Sequence, residues 1–234
     1  MEMRELLDRY EATGDEDAFA AAKPLYERAL YEDPDDAIVR RDYGYLLECH
    51  GRVWLRRAVQ HYERALEVDP EQDKTHYQLI SARAVAYGGY ESIVAYRRRL
   101  TASPHDPREY RFLAAAYLAD HDYTHAREVI DAGLGLTPAD PRLIAFRGEV
   151  RAREQDPDGA LDDWRRAVEL DPDDIAPLYS SAFLLERHQR FPEAIAAWRS
   201  ILGWSQRRGN LLDTDWPDRE IQRLERLSAE PPQT

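Results

Sequence analysis

Five prolines divide this chain at nearly equal intervals: Pro34, Pro70, Pro104, Pro138 and Pro172 lie 36, 34, 34 and 34 residues apart. A chain that repeats itself at this period cannot bury its apolar faces inside one unit, so neighbouring units must stack to share a core. Twelve residues before each proline, and one period beyond the last, stand Ala22, Ala58, Ser92, Ala126, Ala160 and Ala194, all small. Eight residues before stand Tyr26, Tyr62, Tyr96, Ile130, Trp164 and Trp198, and four before stand Leu30, Leu66, Leu100, Leu134, Val168 and Leu202. Residues four apart share one helix face, so each unit contains a helix whose inward stripe is small at its start and bulky toward its end.

A second helix precedes each of these, most plainly at Tyr110, Leu113, Ala114 and Tyr117, with Ala126 and Pro138 completing the unit. The pattern resembles the tetratricopeptide repeat, Trp-x-x-Leu-Gly-x-x-Tyr, then Ala-x-x-x-Phe, then Pro, and the resemblance covers about nine-tenths of the chain. Repeat two supplies Tyr43-Gly44 and Leu47 with two extra residues before Ala58, and repeat six supplies Leu178, Ala182 and Leu185. Repeat one supplies Met3, Leu6, Leu7 and Tyr10, with an insertion around Gly14-Asp15. The resemblance implies an all-α, right-handed α-solenoid of about six helix pairs plus a C-terminal capping helix. The expected repeats are 1–36, 37–72, 73–106, 107–140, 141–174 and 175–206; residues 207–229 are a linker and the capping helix, and 230–234 a disordered tail.

Turn chemistry supports these boundaries. Asp106-Pro107 and Asp140-Pro141 place a side-chain acceptor at the cap and a proline in the first helical turn, where its missing N–H costs nothing; Asp35-Asp36 and Asp173-Asp174 can cap likewise. Two first helices strain the pattern, because a strict 34-residue register sets Arg83 and Arg151 where an aromatic ring belongs. For repeat three a one-residue shift, with Tyr77, Ile80 and Ala84 inward, is the preferred reading. Repeat five keeps Gly148 in place while Leu143, Phe146 and Val150 favour the opposite shift, so its register stays open.

Charge and motifs narrow the function. The 234 residues carry 32 Lys and Arg against 45 Asp and Glu, a net −13, which opposes binding to a nucleic-acid backbone. No apolar run approaches a membrane span, and the charged start, with Glu2, Arg4, Glu5, Asp8 and Arg9, does not read as a signal peptide. One cysteine, Cys49, excludes an internal disulfide. A cytoplasmic protein is expected, and the arginine-rich, lysine-poor usage suggests a GC-rich bacterial genome. There is no Gly-rich phosphate loop and no G-x-S-x-G elbow. His121-Asp122-Tyr123-Thr124-His125 has the spacing of a zinc helix but straddles a turn in the repeat register. The run Arg97-Arg98-Arg99 reads as a solvated outer face. No catalytic activity, metal or cofactor is expected.

In tetratricopeptide arrays the first helix of each pair lines a groove. The resemblance therefore assigns Arg41 and Tyr45, then Arg108, Arg111 and Phe112, then Tyr179 and Phe183 to that groove, and Lys74 and Arg142 extend a cationic row at 34-residue spacing through Arg108. Some family members clamp acidic C-terminal tails with Lys, Asn, Asn, Lys and Arg; here Arg41, Gln78 and Arg108 occupy clamp-like places, but Tyr45 stands for an Asn and Phe112 for a cation. The expected function is an adaptor or scaffold that binds an acidic peptide with apolar anchors. One competing reading packs Phe112 and Tyr179 against the next repeat and pairs the arginines with nearby carboxylates. Another is a self-assembling solenoid that forms homo-oligomers without a groove ligand.

Overall fold

A computed structural model describes residues 2–209 and 215–229. The expected tail, 230–234, and residues 210–214 of the linker lie outside the described residues. Those described form twelve α-helices and no strand: α1 (Glu2–Thr13), α2 (Glu16–Glu32), α3 (Ala37–Val68), α4 (Asp73–Tyr87), α5 (Tyr90–Ala102), α6 (Pro107–Ala119), α7 (Tyr123–Leu136), α8 (Pro141–Arg153), α9 (Pro157–Leu170), α10 (Ala176–Arg187), α11 (Phe191–Arg207) and α12 (Asp215–Ala229). The chain divides into two compact units, 1–92 and 93–234.

The helix starts follow from their acidic caps. Asp106 Oδ1 accepts from the Arg108 amide at 2.9 Å, Asp140 Oδ1 from Leu143 at 3.0 Å, Asp36 Oδ1 from Ile38 and Val39, and Asp174 Oδ1 from Ala176. Within the helix pairs the short turns pass through one residue with left-handed backbone: His121 (φ 61°), Gln155 (φ 64°) and Gln189 (φ 57°), 34 residues apart. Asp122 and Asp156 follow the first two and cap the next helix.

Repeat two departs from the expected pair of helices, because α3 runs unbroken for 32 residues, about 48 Å at 1.5 Å per residue. Counted from Ala58, its left-handed position falls on Val53 and its cap position on Trp54. A β-branched residue resists positive φ, and an indole offers no oxygen to free amides. Without either stop signal the helix continues.

In unit one, Leu7, Tyr10, Ala18, Ala22, Tyr26, Leu46 and Cys49 form a core between α1, α2 and the first half of α3. Val59, Leu79 and Ala82 join the second half of α3 to α4. Unit two buries Ile144, Ala145, Ala160, Trp164, Ala167 and Leu184 as one cluster. A second cluster, with Ala182, Leu185, Ala194, Ile195, Trp198 and Ile201, takes Ile221 and Leu224 from α12, the expected capping helix.

The shifted register for repeat three is overturned. Its buried set is His76, Leu79 and Ile80, with Tyr77 and Ala84 only half-buried, which is the strict 34-residue register. Arg83 is accommodated because its Nη2 lies 2.7 Å from Glu63 Oε1 on α3. Repeat five resolves in the same way. Gly148 keeps its place against α9, where an added Cβ would stand 2.7 Å from Trp164 Nε1. Arg151 reaches Asp163 at 3.0 Å, and Arg147 donates to the same carboxylate at 2.6 and 3.0 Å.

Candidate functional site

The residues assigned to the groove divide between the two units. In unit one, Arg41 is exposed and forks onto Asp42 at 2.7 and 2.9 Å. Tyr45 packs against the core while its hydroxyl donates to Glu11 Oε1, a bond that, with a contact to Cys49, pushes its pKa up to about 12. Lys74 is exposed at the start of α4.

In unit two the cationic row is largely committed to the fold. Arg111 lies 3.6 Å from Asp140, the cap of α8, and Arg142 lies 3.0 Å from Asp174, the equivalent acid before α10. Each cap thus uses one carboxylate oxygen for a helix amide and the other for an arginine of the preceding first helix. Phe112 is fully buried, which overturns its place as a groove-lining anchor; its ring packs 5.6 Å from Tyr96, with the Arg99 and Arg108 guanidinium carbons each 5.9 Å away. The solvated reading of Arg97-Arg98-Arg99 also fails at Arg99, which makes a bidentate pair with buried Glu109 at 2.7 and 2.9 Å. Tyr179 is half-buried beneath Trp216 of α12, the rings stacked at 5.7 Å. Phe183 remains 49% exposed. His121 and His125 sit on either side of the α7 cap, His125 Nδ1 lying 2.6 Å from Asp122 Oδ2. Among the described residues no group of three or more His, Cys, Asp and Glu is placed to hold a metal.

Phe183 opens onto a cleft of about 360 Å³ between α8 and α10, lined by Glu149, Arg153, Ser180 and Arg187 with Trp164 of α9 below. Arg153 and Arg187 are 34 residues apart, and each lies four residues beyond a cleft residue of its own helix, Glu149 and Phe183. Arg153 stands over the Tyr123 ring at 5.6 Å, and Arg187 donates to the Ala152 carbonyl at 3.3 Å. Neither forms an ion pair with a carboxylate among the described residues, unlike Arg111 and Arg142. The same 34-residue spacing that selects Arg108 and Arg142 selects this pair when it is followed to the helix ends. A larger cleft of about 480 Å³ lies among α9, α10 and α11, but its cations are already committed, Arg190 to Asp158 and Glu193, each at 2.6 Å, and Arg165 to Asp162 at 2.7 Å.

Burial holds the Glu149 carboxyl above the ordinary carboxylate range, against a smaller opposing pull from Arg153 and His121. The folded chain therefore binds this proton more tightly than the unfolded chain. That contribution to stability is complete below about pH 4, the unfolded value, and is lost as pH rises through the raised folded value. Glu149→Gln is accordingly expected to raise the melting temperature at about pH 7.5 and to leave it unchanged at about pH 4. Equal shifts at both pH values in scanning calorimetry would show that the carboxyl is not strained by burial.

No family model matches the chain. The human protein O-mannosyl-transferase TMTC1 is 30% identical over 156 residues, 65% of this chain, and the chain spans only 17% of that relative's length. Among solved structures, TTC0263, a thermophilic TPR protein of Thermus thermophilus, superposes with a TM-score of 0.59 at 20% identity, covering 76% of this chain and 95% of that one. A chain of the APC/C hetero-tetramer Cut9-Hcn1 superposes at 0.56 with 16% identity, covering 96% of this chain and 42% of that one. Among the described residues no helix is long and apolar enough to cross a membrane. The period, the turns and these superpositions agree, and the chain is a protein of the tetratricopeptide-repeat fold.

Proposed function

We propose that this chain is a non-catalytic scaffold, and that the cleft between α8 and α10 binds an acidic peptide segment carrying an aromatic or aliphatic anchor. The observation that carries this reading is the pairing of Arg153 and Arg187, one repeat apart and without ion-pair partners among the described residues, beside half-exposed Phe183. Two cations against the single carboxylate of Glu149 leave the cleft positive on a chain of net charge −13. Arginine forks match carboxylates, and a flat ring loses little conformational entropy when covered. Arg111 and Arg142 are offset by Asp140 and Asp174, Arg108 lies over the Phe112 ring, and Arg41, Tyr45 and Lys74 belong to unit one. The transferase activity in the human relative's name is not carried over, since the match spans 17% of that protein.

The test is titration calorimetry of acidic peptides with and without an aromatic anchor. Replacing Arg153 and Arg187 together by alanine is expected to weaken binding about 30-fold, or about 2 kcal/mol, with melting unchanged. Binding of the unmodified chain should weaken as salt rises. Unaltered affinity in the double variant would remove the cleft from the binding surface.

A further inference from the structure

The straight helix α3 leaves one repeat unsatisfied. In the first helices of repeats four and six, Ala114 and Ala182 are fully buried, and Tyr117 and Leu185, three residues on, are 4% and 6% exposed. Their counterparts in repeat two are Gly44 and Leu47. Leu47 is 44% exposed, and a Cβ added at Gly44 would meet nothing within 4 Å. At the equivalent Gly148 the added atom would strike the repeat's own second helix. The second-helix residues tell the same story: Ala22, Ala126, Ala160 and Ala194 are fully buried, whereas Ala58 is half-buried, as is Tyr62 where Tyr26 and Trp164 are covered.

These two sets are built to meet, and the helix keeps them apart: Gly44 and Ala58 are fourteen residues, about 21 Å, distant along one rod. The remaining faces of α3 already have partners, Leu46 and Cys49 toward α1 and α2, and Val59 toward α4. What stays open is a stripe on one side of the rod, with Leu47 and Trp54 exposed at its centre. We propose that a second copy of this chain covers this stripe, with residues 37–50 of each α3 packed antiparallel on residues 52–65 of the other in an exchanged, two-fold dimer.

Self-complementarity singles out the second copy: the first-helix and second-helix sets that bury one another in the other repeats both lie on this one rod, so a second rod laid antiparallel offers each the face it lacks. Setting Gly44 opposite Ala58 brings Leu47 opposite Leu55 in both halves of the pair. The same operation places Gly51 on the two-fold axis, where its missing side chain admits close approach; an added Cβ there meets nothing within the single chain. A straightened hairpin that pairs between copies is the general route to exchanged dimers. This dimer is independent of the peptide cleft, which lies wholly in unit two.

Light scattering of the full chain over a concentration series is expected to give twice the chain mass. The double substitution Val53→Asn and Trp54→Asp supplies a residue that tolerates left-handed backbone and the Asp cap seen at two of the other turns, and should convert the dimer to a monomer with its hairpin closed on itself. In a Cys49→Ser background, co-expressed copies carrying Gly44→Cys and Ala58→Cys separately should form a disulfide-linked dimer, which neither variant forms alone. A monomeric unmodified chain overturns the proposal. So does a dimer that forms no such cross-link, because its interface then lies elsewhere.

Discussion

Replacing Trp198 by alanine is expected to cost about 3–5 kcal/mol and to release the C-terminal end of unit two. Trp198 is fully buried and meets Tyr179, Phe183 and Trp216 edge-on, with centroids 5.8, 5.5 and 5.0 Å away. It is the shared partner of a first helix and of the closing helix, so its removal opens a cavity that α10, α11 and α12 cannot each collapse into. Its Nε1–H also donates to Glu186 Oε1 at 2.7 Å, and the other Glu186 oxygen takes Arg223 of α12. Truncation therefore removes packing and a bond that helps set the carboxylate anchoring α12. Because repeat arrays unfold through nearest-neighbour terms, the loss should appear in urea denaturation as an early separate transition of these three helices. Trp198→Phe, which keeps a ring but no N–H, should lose about 1–2 kcal/mol. A single transition with an unchanged midpoint in Trp198→Ala would mean that α12 is held by its ion pairs instead.

The fold is legible in the sequence because it is periodic. Six small residues and twelve large ones at fixed offsets leave little freedom in where second helices begin, and Asp-Pro pairs mark where two of the first helices start. What the pattern hides is set by partners distant in sequence. Arg83 and Arg151 look like errors in a buried register until Glu63 and Asp163, twenty and twelve residues away, supply the charges that let them stay. The continuous helix of repeat two is written in Val53 and Trp54, but a missing stop signal is harder to see than a present one. The cap acids explain the site's partial legibility. Asp140 and Asp174 read as helix starts, and nothing local announces that their second oxygens hold Arg111 and Arg142. Arg153 and Arg187 escape the pattern because they stand at the last turn of their helices, beyond the packing residues that define it.

The second large effect is expected at Asp163, which is 4% exposed on α9 yet serves two arginines of α8. It also holds the Arg147 guanidinium charged above the ordinary arginine value. Asp163→Ala would leave two like charges facing α9 with only more distant carboxylates, Asp156 at 3.9 Å from Arg151 and Asp131 near Arg147, a loss that reaches about 3–5 kcal/mol when the pair is fully buried. Both arginine side chains here are 34% exposed, so water recovers part of it and about 2–4 kcal/mol is expected. The flanking repeats say how to separate the charge from the packing. The counterparts of Arg151 in repeats four and six are Tyr117 and Leu185, both buried, so Arg151→Leu restores the apolar register that the carboxylate replaces. In that background Asp163→Ala should cost at least about 1 kcal/mol less than in the unmodified chain, the coupling a double-mutant cycle reads from neighbouring charges. Strictly additive costs would show instead that Asp163 stabilises α9 through Arg147 alone, and that Arg151 at the aromatic position is held by its bond to the Gly159 carbonyl.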